Sequence, residues 1–160
     1  MPNMVDNIVS IVGPYAHLSE LYEAVKERKL LQTIKPLNTF SEERAKETWG
    51  VKWDVVDEKP ILHDEVYGYG PDMWCLEMQF ESPWGPPIGA YEILTEDGLK
   101  VSAYFMDTSG QDYGGTFIEG EIKTYHLEDL PEDITAIFAE TYDYERLMYP
   151  DEWPDHKPAA

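Results

Sequence analysis

The sequence predicts an α+β domain with a mostly antiparallel sheet of four to five strands, two main helices on one face, a short C-terminal helix and a tail. Apolar and polar residues alternate in residues 73–81, as in a half-buried strand, whereas residues 18–30 show helical spacing. Gly and Pro separate these short runs. A chain of 160 residues that is 42% hydrophobic suits a single core. We therefore assign residues 1–139 to one domain and residues 140–160 to an acidic, aromatic tail.

The N-terminal part of the chain is predicted to hold one strand and one helix. Residues 7–12 are mostly β-branched and end at Gly13-Pro14, which is typical of a strand followed by a turn. Residues 18–30 place basic side chains near the C-terminal end of the helix, where the helix dipole favours them. Residues 31–37 have mixed character and are interpreted as a connector or a short edge strand.

The middle of the chain is predicted to form a short helix and two strands. Residues 41–47 begin with a capping serine and continue with acids and helix-forming residues. Residues 51–56 alternate, which predicts the second strand. Residues 60–72 contain Gly and Pro among acids and tyrosines, which indicates a hairpin loop or frayed strand ends. Residues 73–81 form the third strand.

The second half of the domain is predicted to alternate between helix and strand. Residues 88–95 form the second main helix, which begins at one of the two preceding prolines. Residues 99–106 are the fourth strand, and residues 107–115 are a polar, glycine-rich loop. Residues 116–127 are the fifth strand, and residues 131–139 are a short amphipathic helix with acids at its positive end.

Charge is distributed unevenly along the chain. The formal net charge is −20, of which residues 61–160 contribute −18. Such a field repels phosphate backbones and favours basic partners, so direct binding of double-stranded nucleic acid is not expected without a local basic patch. The alternative is that the charge only keeps a small protein in solution.

Several features bear on the cellular compartment. The N-terminus lacks the charged and apolar segments of a secretory signal, and no apolar run has the roughly 18 residues that a membrane span needs. The single cysteine, Cys75, lies in an apolar stretch and is interpreted as a buried structural thiol rather than a reactive one. We expect a cytoplasmic protein.

Two tryptophan-containing words are the most unusual part of the sequence. Trp-Gly-Val-Lys-Trp-Asp occupies residues 49–54, and Ser-Pro-Trp-Gly-Pro-Pro occupies residues 82–87. In both words tryptophan is adjacent to glycine, which makes the backbone flexible, or to proline, which makes it rigid. This combination predicts that the two words pack together at one corner of the domain. The defining residues are Trp49, Gly50, Trp53, Asp54, Trp84, Pro86 and Pro87.

With the opening Met-Pro-Asn, the first strand and Tyr-Gly-Gly at residues 113–115, these words resemble the YubB-type ferredoxin-like family of small phage and plasmid proteins. The family's usual words are Trp-Gly-Thr-Lys-Trp-Asp and Ala-Trp-Ser-Pro-Pro, so Val51 and Gly85 depart from the pattern. The resemblance covers roughly residues 1–125. It implies a ferredoxin-like sandwich and a mobile-element origin, but no reaction and no catalytic residue.

No pattern for catalysis or metal binding is found. The four histidines, residues 17, 63, 126 and 156, are far apart, and residues 107–112 lack the ligand spacing of an EF-hand loop. Nucleophile-elbow, phosphate-loop and dinucleotide motifs do not occur. We therefore expect no catalytic residues, no cofactor and no metal. The tryptophans are interpreted as core residues; the alternative is a platform on which bases stack.

The acidic tail is the predicted partner-binding segment, because aromatic anchors there are interspersed with acids that suit a basic rim. The candidate residues are Tyr142, Asp143, Tyr144, Glu145, Tyr149, Asp151, Glu152 and Trp153. The alternative is an exposed or self-docked tail.

Three functions remain open from the sequence. The preferred one is a non-enzymatic phage or mobile-element accessory protein that binds a basic surface of a host protein, as an inhibitor or a nucleic-acid mimic. The second is a nucleic-acid-binding module that uses the open sheet face, with Lys26, Arg28, Lys29 and Lys35 as its basic residues. The third is an enzyme acting on a small ligand.

Overall fold

The first strand of the chain is at the centre of the sheet. The computed structural model describes residues 4–63, 72–107 and 113–139. Within these residues, β1 (Met4–Pro14) pairs antiparallel with β3 (Met73–Pro83) on one side and with β4 (Lys100–Asp107) on the other. All other strands extend the sheet outward from these three.

The described sheet has six strands, all antiparallel, rather than the predicted four to five. β2 (Val56–His63) pairs with β3 at one edge, and β5 (Tyr113–Ile118) and β6 (Glu121–His126) follow β4 at the other. The order is β2-β3-β1-β4-β5-β6, and the sheet is open. The additional strand arises because residues 116–127, predicted as one strand, contain a turn that divides them between β5 and β6.

Five helices accompany the sheet in the described part of the chain. They are α1 (Tyr15–Lys26), α2 (Leu30–Ile34), α3 (Glu42–Trp49), α4 (Ile88–Glu96) and α5 (132–139), with a 3₁₀ turn at Leu127–Asp129. α4 begins directly after Pro87, and α5 agrees with the short helix predicted for this segment.

The core lies on one face of the sheet. Alternate residues of β1 are buried, and Val9 and Ile11 belong to one apolar cluster with side chains from β3 and β4. α1 contributes Leu18 and Leu21 to this cluster, and α4 contributes Leu94 together with Ala90 and Tyr91. The two main helices therefore cover the same face, which we call the helix face.

Two predictions for the middle of the chain are wrong. Residues 31–37, predicted as a connector or edge strand, contain most of α2, because an acidic side chain from residue 54 caps this helix. Residues 51–56, predicted as a strand, form a bend, and β2 begins only at Val56. The alternation that predicted a strand is produced instead by burial of Val51 and Val55 in the core.

Two segments predicted to connect strands contain strand residues. Residues 60–63, the start of the segment predicted as a hairpin loop or frayed strand ends, belong to β2, and an edge strand tolerates Pro60 because not every backbone amide there has to donate within the sheet. Residues 64–71 of that segment lie outside the described residues. Residues 113–115, assigned to a loop, begin β5, and residues 108–112 lie outside the described residues.

Candidate partner-binding site

The β5–β6 hairpin is closed by a two-residue turn. Glu119 and Gly120 both have positive φ angles, 49° and 89°, and Ile118 pairs with Glu121 across the turn. Positive φ at both central positions is the geometry whose twist matches that of the flanking strands. The Glu119 amide also donates a hydrogen bond to the Val101 carbonyl at 3.1 Å, which joins the turn to β4.

That hydrogen bond determines which backbone groups of β6 point outward. Because Glu119 bonds toward β4, the odd-numbered residues of β5 bond to β4 and the even-numbered ones bond to β6. The β6 residues opposite those odd-numbered positions then direct their amide and carbonyl groups away from the sheet. These residues are Ile122, Thr124 and His126.

Acidic side chains surround this edge. Residues 119–133 contain six acids and one base, and all six acids are exposed. Two acids stand at the turn end of β6 and four follow its other end, while Lys123 lies between the two groups. The six are Glu119, Glu121, Glu128, Asp129, Glu132 and Asp133. We call β6 together with these acids the acidic edge.

Leu130 holds the segment after β6 against the sheet. A Cβ built on Gly114 would lie 3.0 Å from a methyl group of Leu130, so a glycine at position 114 leaves room for this side chain. Farther along this segment, Ile134 and Phe138 of α5 are buried. The acids at 128–133 are thus carried on an anchored segment.

The opposite edge of the sheet differs from the acidic edge. β2 contains Pro60, which has no backbone N–H, and its register with β3 shifts between Val56 and Lys59. A proline and an irregularity in register, such as a bulge, both protect a sheet edge from further pairing. β6 has neither, and its register with β5 is regular.

The tail residues predicted to bind a partner, residues 142–145, 149 and 151–153, lie outside the described residues. The sequence does not single out the acidic edge, because its pattern predicts one strand over residues 116–127. The sequence signal for this edge is Glu119-Gly120, which lies between two short runs of strand-forming residues. A glycine in the second position is typical of a two-residue hairpin turn.

The two tryptophan words contact each other in the structure. Gly50 ends α3 with a φ of 88°, and a Cβ on it would lie 3.1 Å from the Gly89 nitrogen. A Cβ on Gly89 would in turn lie 2.4 Å from the Thr48 carbonyl oxygen. The end of α3 and the start of α4 therefore approach at backbone distance, and Pro86 and Pro87 lead the chain into this contact.

Trp49 and Asp54 have structural roles. Trp49 is 1% exposed, and its indole nitrogen donates to the Lys35 carbonyl at 2.9 Å. The Asp54 carboxylate accepts from the backbone amides of Leu31 and Gln32 at 3.0 and 3.1 Å, which caps α2. Burial raises the pKa of Asp54, although its hydrogen bonds to backbone amides act in the opposite direction.

Among the three tryptophans of the two tryptophan words, Trp84 is the exposed one. The residue is 40% exposed. Its ring centroid lies 5.2 Å from that of Trp53 in an edge-on arrangement, and the Lys52 ammonium lies 4.2 Å from the centroid of the Trp84 ring. Trp84 also has a φ of 60°, a conformation that costs about 1 kcal/mol for a residue with a side chain. Both partners of this ring belong to the first tryptophan word.

The sequence does not reveal a buried polar network that reaches the loop containing Trp84. The Tyr91 hydroxyl donates to Asn7 Oδ1 at 2.7 Å, and Asn7 Nδ2 donates to Ser82 Oγ at 2.8 Å. Ser82 Oγ donates to the Gly85 carbonyl at 2.5 Å. Burial raises the pKa of Tyr91 well above its usual value. The network links β1, α4 and the loop that carries Trp84.

Asp107 and Tyr113 bring a buried carboxylate beside a phenol. The two residues are cross-strand partners in β4 and β5, and Asp107 is fully buried. Burial raises the pKa of Tyr113, and the charge of Asp107 raises it further. Tyr113 is therefore a neutral hydroxyl at neutral pH, near the Gly85 backbone.

The polar residues needed for metal chemistry are not brought together in the described ranges. There, no three His, Cys, Asp or Glu side chains are grouped so that they could hold a metal ion. His63 and Glu77 form an exposed pair at 3.0 Å. Cys75 is buried, as predicted, with its sulfur 3.2 Å from Ser10 Oγ.

The four basic residues proposed to bind nucleic acid do not lie on the sheet face opposite the helix face. Lys26 ends α1, Arg28 and Lys29 join α1 to α2, and Lys35 follows α2. α1 and α2 both contribute to the core on the helix face. These residues would therefore serve a site on the helical layer rather than on the opposite sheet face.

Within the described parts of the chain, no helix has the length and apolar character needed to cross a membrane. Comparison of the chain with protein-family models, with curated proteins and with solved structures gives no match. The resemblance to the YubB-type ferredoxin-like family stays a prediction drawn from the tryptophan words.

Proposed function

We propose that this chain is a non-enzymatic accessory protein that binds a basic surface of a partner protein through its acidic edge. The observation that carries the proposal is the placement of six exposed acids around β6, with Lys123 as the one base in residues 119–133. Charges of one sign at an interface steer a partner of the opposite sign and disfavour other partners. An inhibitor or a nucleic-acid mimic in the cytoplasm of a phage host would use this chemistry.

We also propose that the chain has the ferredoxin-like fold of the YubB-type family, and the strand order supports this. β2-β3-β1-β4 is an antiparallel set in which α1 and two short helices connect β1 to β2, and α4 connects β3 to β4. We propose that these four strands and two main helices are a ferredoxin-like unit and that β5 and β6 are an addition at its β4 edge. The acidic edge is the outer strand of this addition.

Capture of partners from a bacterial lysate by the immobilised full chain tests the proposal. The edge variant replaces Glu121, Glu128 and Asp129 by Gln, Gln and Asn. The control variant replaces Glu20, Glu27 and Glu47, which are exposed on α1, after α1 and on α3, by Gln. Both variants lose the same charge.

We expect the wild-type chain and the control to capture a basic protein at low salt and to release it at about 0.5 M salt, where the Debye length is only a few ångströms. The edge variant should capture at least about threefold less. Equal capture by the edge and control variants, or capture that does not respond to salt, would contradict the proposal.

A further inference from the structure

We infer that the acidic edge binds its partner by strand addition: an extended basic segment of the partner pairs with β6 as a seventh strand. The inference rests on the proposed function, because it names how the same site recognises a basic partner. Its starting point is that β6 is the last strand in the order of the described sheet and carries outward-pointing backbone groups.

The backbone geometry suits an added strand. Ile122, Thr124 and His126 direct their amide and carbonyl groups outward, and β6 lacks the proline and the register shift that protect β2. A strand edge of this kind presents a ready template for an extended peptide, whose main-chain hydrogen bonds supply affinity. Six residues at about 3.4 Å each give an edge of roughly 20 Å.

The charges select the occupant. Glu119 and Glu121 stand at one end of β6, and Glu128 and Asp129 follow its other end. An added segment therefore meets acids near both of its ends and the partly exposed Ile122 side chain between them. This pattern fits a segment with basic residues at each end and β-branched residues in the middle.

The same charges disfavour pairing of β6 with a second copy of the chain or with the chain's own tail. A second copy of the chain would bring its own acids against those of the first across the paired β6 strands. Residues 140–160 contain six acids and two bases, so the chain's own tail carries the same sign as the edge. Like charges directly opposite each other on paired strands are destabilising.

Titration of the full chain with the peptide Lys-Lys-Val-Thr-Val-Thr-Lys-Lys at low salt tests the inference. The matched control is the same peptide with N-methyl groups on its four central amides, which keeps all charges but removes the central donors. We expect the control peptide to bind at least about tenfold more weakly, because several hydrogen bonds are lost. Hydrogen exchange at residues 122, 124 and 126 should slow only with the unmodified peptide.

A protein variant provides the second arm. Thr124→Pro removes one outward amide without changing the charge, and an edge strand accepts proline where its amide faces outward. We expect this variant to remain folded by circular dichroism and to bind the unmodified peptide at least about threefold more weakly than Thr124→Val. A Thr124→Pro variant that does not fold leaves the peptide comparison as the deciding measurement.

The outcomes separate this inference from the proposed function. Equal binding of the two peptides would overturn strand addition, yet the acidic edge would still bind basic partners by charge alone. Slow hydrogen exchange at residues 122, 124 and 126 in the free chain would also overturn it, because the edge would already be covered. Slow exchange that depends on protein concentration would indicate a second copy as the cover, and slow exchange that does not would indicate the tail. Binding of neither peptide overturns it as well, while lysate capture by the edge variant still decides the proposed function.

Discussion

Tyr91 donates a buried hydrogen bond to the side-chain oxygen of Asn7, 84 residues earlier in the chain, at 2.7 Å. Asn7 uses its amide group as well, donating to the Val5 carbonyl and to Ser82 Oγ. Buried side-chain hydrogen bonds thus join β1, α4 and the loop that contains Trp84. A buried polar network of this kind specifies one arrangement because an unpaired member is costly.

Tyr91→Phe should therefore destabilise the fold at neutral pH by about 1–3 kcal/mol, because it leaves Asn7 Oδ1 without its phenol donor. Urea unfolding at pH 7 measures the change. Tyr104→Phe, on the opposite sheet face and half-buried, is the control and should change the free energy of unfolding by less than about 0.5 kcal/mol.

The same variant should alter alkaline unfolding. Burial raises the pKa of Tyr91 in the folded chain well above its usual value of 10.0, so the unfolded chain loses this proton first as pH rises. The stability that Tyr91 contributes is complete below pH 10 and is lost as pH rises toward the folded-state pKa. The gap in unfolding free energy between wild type and Tyr91→Phe should narrow above about pH 10; a constant gap would contradict the assignment.

Gly89→Ala should destabilise the protein by about 1–3 kcal/mol, because the new methyl group meets backbone atoms of α3 that cannot rotate away. Gly85→Ala is the matched control: its Cβ would lie 3.7 Å from the Tyr113 hydroxyl, an ordinary contact. Thermal unfolding of both variants checks the prediction. If Gly89→Ala melts at the wild-type temperature, α3 and α4 do not meet at backbone distance.

Asp54→Ala should cost about 0.5–2 kcal/mol, because the amides of Leu31 and Gln32 lose their cap. Asp54→Asn should retain part of this stabilisation, since an amide oxygen still accepts a hydrogen bond. Chemical unfolding compares the three proteins, and amide exchange in α2 locates the effect. Faster exchange across the whole sheet, with α2 unaffected, would count against a local cap.

Cys75 should react slowly with iodoacetamide in the folded chain. Burial raises the pKa of the thiol, and the charge of Glu77 raises it further, while the hydrogen bond with Ser10 partly opposes both. We expect alkylation at pH 8 to be at least about 100-fold slower than in urea, because the thiolate is the reacting species. Equal rates in the two conditions would show that Cys75 is accessible in the folded chain.

The regular parts of the fold were predictable from local pattern. Period-two alternation in residues 73–81 identified β3, and helical spacing with a glycine stop identified α4. The strand predicted at residues 51–56 is wrong, because burial of Val51 and Val55 in a bend produces the same alternation as a strand. Period alone does not distinguish an extended strand from a bend whose alternate side chains face one core.

The candidate site depended on features that are not local. The number of acids near β6 is visible in the sequence, but their position at the last strand of the described sheet follows from the division of residues 116–127 into two strands. The outward direction of the Ile122 and Thr124 backbone follows from one hydrogen bond between Glu119 and Val101. No spacing rule within β6 contains that information.

The sequence by itself determined the α+β class, the antiparallel strands, the two main helices on one face and the acidity of the second half, because these follow from periodicity and composition. Only the tertiary structure decided that Asp54 caps α2, that Asn7 binds Tyr91, and that β6 is the last strand of the described sheet and has a regular register, unlike β2 at the other edge. Each of these depends on which distant segments lie side by side, and the core that brings them together is formed by the whole domain.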